Sequence, residues 1–204
     1  MAGIQRFRDF VIALTRLAEA GAPEAAWLEK GRALLAELVR HDDWLPASCA
    51  EAGPTYRQYL LHCDPLERFS VVSFVWGPGQ RTPVHNHTVW GLVGMLRGEE
   101  VSTEMRPGAP APSCDGARCP MIAGRVDRLR PGEVVAVSPN LSDIHVVENA
   151  LPDAASISIH VYGANIGAVR RSVFDPATGA ERLFVSGYSN AAVPNLWDRS
   201  AEAA

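Results

Sequence analysis

The chain has 204 residues, of which 47% are hydrophobic and 21% charged, enough to bury a sizeable core without a disulfide framework or structural metal. Its 19 Lys and Arg against 23 Asp and Glu leave a formal net charge of −4, which argues against a nucleic-acid partner and a basic membrane-surface protein. No apolar run approaches the ~18 residues of a membrane span, and Arg6, Arg8, Asp9 and Arg16 break the pattern of a signal peptide, so a reducing cytoplasm is the expectation.

In chain order, Ile4, Phe7, Val11, Leu14 and Leu17 fall at helical spacing and predict a helix over residues 4–20. Pro23 suits the first turn of a second helix, running to about Arg40, with Trp27, Leu28, Leu34, Leu35 and Leu38 as its apolar set. Residues 41–55 read as a connector. From Tyr56 the helical period disappears, and strands are predicted over 56–62, 69–76, 89–96, 134–137, 144–147, 156–162 and 182–185. Gly77-Pro78-Gly79, Arg97-Gly98, Pro107-Gly108, Arg130-Pro131-Gly132 and Thr178-Gly179 supply the breaks. Such spacing indicates an antiparallel sandwich or barrel, the jelly roll included. The expected organisation is one domain: a helical extension over 1–54, a barrel over 55–190 and a tail over 191–204. Residues 106–124, rich in Pro, Gly and Ala, read as an excursion from the barrel. Four cysteines (Cys49, Cys63, Cys114, Cys119) are too few and too irregular for a disulfide scaffold. Cys114 and Cys119 make a C-x4-C pair that is a weak zinc signal.

The sharpest feature is His85-Asn86-His87. Residues two apart on a strand project to one face, so these imidazoles can converge on one point. A third histidine, His145, precedes Val146-Val147-Glu148-Asn149. Taken alone, the pair could be surface residues and His145 a satisfied core histidine. The flanking pattern argues otherwise. It resembles the two motifs of the cupin superfamily, G-x5-H-x-H-x3-E-x6-G and G…P…H-x3-N, matched by Gly79, His85, His87, Gly98, Gly132, Pro139, His145 and Asn149. The glutamate of the first motif falls on Gly91. Three imidazoles without a carboxylate suit a divalent first-row ion and leave its full 2+ charge to attract a thiolate; zinc is equally content with such a set. Gly91 is expected to leave room for substrate and dioxygen together.

Ser158, His160 and Tyr162 alternate with Ile159 and Val161, so the three polar side chains share one strand face. Facing inward, they would be costly unless paired, which suggests a relay of hydrogen bonds; facing outward, they would only meet water.

With these features together, residues 56–162 resemble the thiol dioxygenases of the cysteine dioxygenase type I family. The resemblance is carried by Phe69-Ser70-Val71-Val72, Trp76-Gly77-Pro78-Gly79, His85-Asn86-His87-Thr88, His145 and Ser158-x-His160-x-Tyr162. It implies a single cupin (jelly-roll) β-barrel behind two or more N-terminal helices. It also implies one Fe(II) on His85, His87 and His145, and oxidation of a small thiol to its sulfinic acid by both atoms of O2. In that family a cysteine at the place of Gly91 is cross-linked to the tyrosine matching Tyr162; here Tyr162 is expected to be a free phenol. The family arginine that grips the substrate carboxylate aligns with Gln58, as in the bacterial 3-mercaptopropionate dioxygenases. In that branch an arginine beyond the tyrosine takes over, and Arg171 matches its place, with Arg170 beside it. Arg57 and Arg81 are expected to be structural. The implied substrate is 3-mercaptopropionate or L-cysteine, bound by Arg171 and Gln58, with Tyr162, His160 and Ser158 assisting. The alternatives are an L-cysteine-specific enzyme, a cupin enzyme using Zn, Mn or Ni, and a non-catalytic metal-binding barrel. No partner beyond the small thiol and O2 is expected, and the sequence is silent on oligomeric state. His41 and His62 receive no role, although His62 shares a predicted strand with Gln58.

Overall fold

The computed structural model describes residues 2–109 and 119–199. Two helical segments open the chain. The first, α1 (Ala2–Glu19), follows the predicted period. The second begins after Pro23 as a short α2 (Glu24–Ala26), passes through a π-helical turn (Trp27–Gly31) and continues as α3 (Arg32–Val39). Here the expected single helix is interrupted. The wide turn coincides with Trp27, whose indole stacks on Trp90 at 4.8 Å and lies 5.7 Å from Phe69.

Eleven strands follow among the described residues. They are β1 (Arg57–Cys63), β2 (Ser70–Trp76), β3 (Val84–His85), β4 (Gly91–Arg97), β5 (Glu100–Pro107), β6 (Met121–Leu129), β7 (Val134–Val137), β8 (His145–Asn149), β9 (Ser156–Tyr162), β10 (Arg171–Phe174) and β11 (Glu181–Phe184). A five-stranded sheet runs β1-β2-β9-β4-β7 and a six-stranded sheet β11-β10-β3-β8-β5-β6, with the neighbours antiparallel. Two facing antiparallel sheets of this order form the jelly-roll-like cupin fold that the motifs predict.

Strand β9 sits at the centre of the first sheet and is buried along its whole length. Ile157, Ile159 and Val161 point outward, beneath Phe7, Leu14, Leu35 and Leu38 of the helices. At roughly 1.5–3 kcal/mol for each buried aliphatic or aromatic side chain, this layer is what fastens the helical extension to the barrel. The alternate residues Ser158, His160 and Tyr162 therefore face inward, settling the choice of face that the sequence left open.

Strands β5 and β6 were not predicted. They lie at the far edge of the six-stranded sheet, where β6 is buried only at its two ends, so no apolar alternation marks them. The expected excursion over 106–124 is accordingly a hairpin at its base: Pro107 pairs with Met121. Residues 110–118, with Cys114, lie outside the described residues. Cys119 is disulfide-bonded, which removes it as a zinc thiolate.

Candidate metal centre and active site

His85 closes β3, and antiparallel pairing sets it directly opposite His145, the first residue of β8. His87 follows two residues on, as its spacing suggests, with the Asn86 amide still donating to the Ser172 carbonyl beside β10 (3.1 Å). The named strand ends at His85, and the chain bends at Thr88, which lies in the left-handed region (φ 60°). Asp143 holds that turn. Its Oδ1 accepts from the His87 amide (3.0 Å) and faces His87 Nδ1 at 3.1 Å, while Oδ2 accepts from the Thr88 amide (2.9 Å). Three hydrogen bonds to one carboxylate offset the strain of a β-branched residue at positive φ.

The three imidazoles bring one nitrogen each to within 4.8 Å of one another, and all three are buried. Their other nitrogens are occupied. His85 Nδ1 lies 3.1 Å from the Pro83 carbonyl oxygen, which only accepts, so that nitrogen carries the proton and Nε2 is free. The carboxylate of Asp143 fixes His87 by the same logic, and Ser102 Oγ lies 2.9 Å from His145 Nδ1. Burial together with mutual repulsion pushes His85 down to about 3, and His145 well below its ordinary value. Three imidazoles, each oriented from behind, are the donor set of a divalent transition-metal site, and the residues fit such an ion. Asp143 and Ser102 were not found from the sequence. A lone acid and a lone serine carry no spacing signal before the fold brings them behind the histidines.

A cavity of about 180 Å³ opens beside this group. Its wall includes His85, His87, His145, His160, Tyr162, Gln58 and Arg171. The inward face of β9 forms the expected relay: Ser158 Oγ lies 2.8 Å from His160 Nε2, and His160 Nδ1 lies 2.8 Å from the Tyr162 hydroxyl. Burial drives His160 well below its ordinary value and raises Tyr162, so the imidazole and the phenol are both neutral.

Gly91 does not open a space. A Cβ built there would stand 2.8 Å from the Tyr162 ring, because Gly91 and Tyr162 are register partners of β4 and β9. The room a side chain would have taken holds the tyrosine ring, and Tyr162 is a free phenol.

At the other end of the cavity, Arg171 is 4% exposed and lines the wall, whereas its neighbour Arg170 is exposed. The Arg171 guanidinium lies over the Phe184 ring at 4.8 Å and donates from Nη2 to Ser186 Oγ (2.7 Å). Its Nε has no hydrogen-bond partner, and no acidic side chain among the described residues pairs with it. Gln58 donates to Ser186 Oγ (3.2 Å) and to the Gly187 carbonyl (3.0 Å), so Gln58 and Arg171 meet at Ser186, which the sequence did not single out. Arg57 and Arg81 lie outside the cavity wall; the Arg81 backbone forms an isolated antiparallel β-bridge with that of Glu148. His62 also stays outside, packed 5.7 Å from Phe69 after a register shift in β1 turns it away.

No family model matches the chain. Among solved structures it is similar to a cupin superfamily protein from Desulfitobacterium hafniense DCB-2, at 18% identity, over 61% of this chain and 94% of that one, with a TM-score of 0.42. It is also similar to a Klebsiella pneumoniae protein with a double-stranded β-helix domain (16% identity, 70% and 97% covered, TM-score 0.42). A DMSP lyase from Ruegeria pomeroyi DSS-3 is similar at 16% identity, 65% and 60% covered, with a TM-score of 0.42. At these values the likenesses say nothing about chemistry. The sheets and the site define the class by themselves: a cupin fold carrying a three-histidine group able to bind a metal.

Proposed function

We propose that this protein is a mononuclear non-haem iron thiol dioxygenase, which oxidises a small carboxylate-bearing thiol, 3-mercaptopropionate or L-cysteine, to its sulfinic acid. The observation that carries this reading is a buried guanidinium with no acidic partner among the described residues, in the same small cavity as three convergent imidazoles and a neutral phenol. A buried cation without a counter-ion is costly unless an anion arrives to meet it, and a carboxylate matches the fork of Arg171. The thiol end of the substrate rests on the Ser158-x-His160-x-Tyr162 and His85-x-His87 resemblance and on an all-neutral ligand set that keeps the cation's charge for an incoming anion.

His85, His87 and His145 would hold Fe(II), which when bound supplies one-electron chemistry toward dioxygen and a Lewis acid for a thiolate. The rest is the work of this chain. Arg171 takes the substrate carboxylate and so fixes the direction in which the sulfur points. Ser186 and Gln58 hold the guanidinium in place from behind. Tyr162 stays protonated and offers a hydrogen bond at the reacting end, where a preorganised donor in a dry site is worth most. His160 and Ser158 keep that hydroxyl in position. The reaction balances as RS⁻ + O2 → RSO2⁻, with no external reductant.

The test is oxygen uptake by Fe(II)-loaded protein with 3-mercaptopropionate, L-cysteine and cysteamine in parallel. Uptake of one O2 per carboxylate-bearing thiol, with both labelled oxygen atoms in the sulfinate, is expected. Uptake with cysteamine alone would remove the role of Arg171, and no uptake with any thiol would leave a metal-binding barrel rather than this enzyme.

A further inference from the structure

Behind the relay lies a buried acid that the proposed function does not use. Glu100 begins β5, immediately after the turn at Gly98 (φ 75°), and is 1% exposed. Its Oε1 accepts from Ser156 Oγ at 3.2 Å, whereas its Oε2 is buried with no hydrogen-bond partner. Ser158 is the next hydroxyl after Ser156 on the inward face of β9, near enough to hold the Glu100 carboxyl down against the rise that burial brings, and the unpartnered Oε2 is the carboxyl oxygen left to meet it. On β6 it faces Leu129, while Arg128 and Arg130 turn away to pair with Glu99. On β8 its register partner is Asn149, whose amide is committed to the Trp76 and Ala154 carbonyls. From β2, Trp76 Nε1 donates to Ser158 Oγ at 3.4 Å. Beyond Ser158 the next titratable groups are His160 and Tyr162. Among the described residues no cation stands beside Glu100, so an ionised carboxylate there would be a buried charge without compensation.

We infer that Glu100 is the terminal member of the relay, a positioning residue whose proton decides which way the hydrogen bonds of Ser158, His160 and Tyr162 point. The logic follows from counting donors. As a neutral acid, Glu100 donates from its carboxyl O–H to Ser158 Oγ. Ser158 then donates to His160 Nε2, His160 Nδ1–H donates to the Tyr162 oxygen, and the Tyr162 O–H is left to donate into the cavity. When Glu100 loses its proton to solvent, Ser158 donates to the carboxylate instead and accepts from His160 Nε2–H. His160 Nδ1 then accepts the Tyr162 proton, and Tyr162 presents only lone pairs to the site. The two arrangements differ by one proton, and the imidazole is neutral in both. Burial raises the Glu100 carboxyl to about 8, so the donating arrangement prevails at neutral pH.

This rests on the proposed function only for its effect on turnover; the direction of the hydrogen bonds is read without it. Protein loaded with diamagnetic Zn(II) and carrying ¹³Cζ-labelled tyrosine is titrated from about pH 6 to about pH 10 by NMR, with the Tyr162 resonance assigned by its loss in Tyr162→Phe. A sigmoidal shift with a midpoint near 8 is expected in the wild type. It should vanish in Glu100→Gln, whose amide keeps a donor toward Ser158, and equally in Ser158→Ala, which cuts the connection should the first variant fail to fold. A Tyr162 resonance that does not move, or that moves unchanged in both variants, overturns the proposal. In iron-loaded protein, wild-type turnover should fall about fivefold from about pH 8 to about pH 9, as a single ionisation dictates, and Glu100→Gln should lose that limb. If the NMR coupling is present and no thiol is consumed, the dioxygenase reading fails and the relay assignment stands.

Discussion

The two sheets divide the work of the cavity. The six-stranded sheet brings the groups to which the proposed function gives binding: His85 and His145 on β3 and β8, His87 just after β3, and Arg171 on β10. The five-stranded sheet brings the groups that hold protons: Ser158, His160 and Tyr162 on β9. The difference follows from their surroundings. The five-stranded sheet is covered by helices on its outer face, so its inward polar residues are sealed and must satisfy one another. Ligand histidines in the other sheet each need a second partner behind the ring, and its more open construction supplies Pro83, Ser102 and Asp143. Binding groups are braced one by one, whereas proton-holding groups form a chain.

That division can be broken at either sheet. The largest effect is expected at the ligands: His85→Ala or His145→Ala should take metal content from about one ion per chain to near zero, read by elemental analysis. Full iron content in either variant would dissolve the binding role of the six-stranded sheet. Acid should strike both sheets at once. His85, His145 and His160 are buried neutral with folded values below that of the unfolded chain, so the unfolded state binds more protons below about pH 6.5. Stability is then fully present above that pH and is lost as pH falls toward about 3 for His85. Each group contributes a slope of up to about 1.4 kcal/mol per pH unit. Urea midpoints of metal-free protein across this range measure it, and His160→Gln should remove one group's share.

Smaller effects separate the chemistry. Tyr162→Phe should leave metal content unchanged and lower kcat by about 100-fold, the usual loss of one preorganised donor. An unchanged kcat would confine the five-stranded sheet to a structural role. Arg171→Gln should raise KM for 3-mercaptopropionate by roughly 10- to 150-fold, the loss of a charged hydrogen-bonded pair worth about 1.5–3 kcal/mol, with oxidation of cysteamine unaffected. Asp143→Asn should weaken metal binding by about 10- to 100-fold, since it braces a ligand rather than serving as one; competition with a chelator reads the change.

Much of this was legible in the chain. The strands over 134–137 and 156–162 lie where their apolar and alternating patterns put them, because both are defined by side chains that meet the core. The outer hairpin β5–β6 was not legible, since a half-exposed edge places no hydrophobic demand on its residues. The relay was visible as Ser-x-His-x-Tyr, but Glu100, on another strand, was not.

The sequence by itself determined the residue types of the site and their local spacing: two histidines two apart, a third on a later strand, and a polar alternation within an apolar run. Those follow from short-range periodicity, which one strand expresses without its neighbours. Only the tertiary structure decided that Asp143 stands behind His87, that Tyr162 fills the place beside Gly91, that Arg171 rather than Arg170 lines the cavity, and that Glu100 meets Ser156 on β9. Each of these is a contact between residues far apart in the chain, fixed by sheet register and by the exclusion of water, and neither is encoded in local pattern.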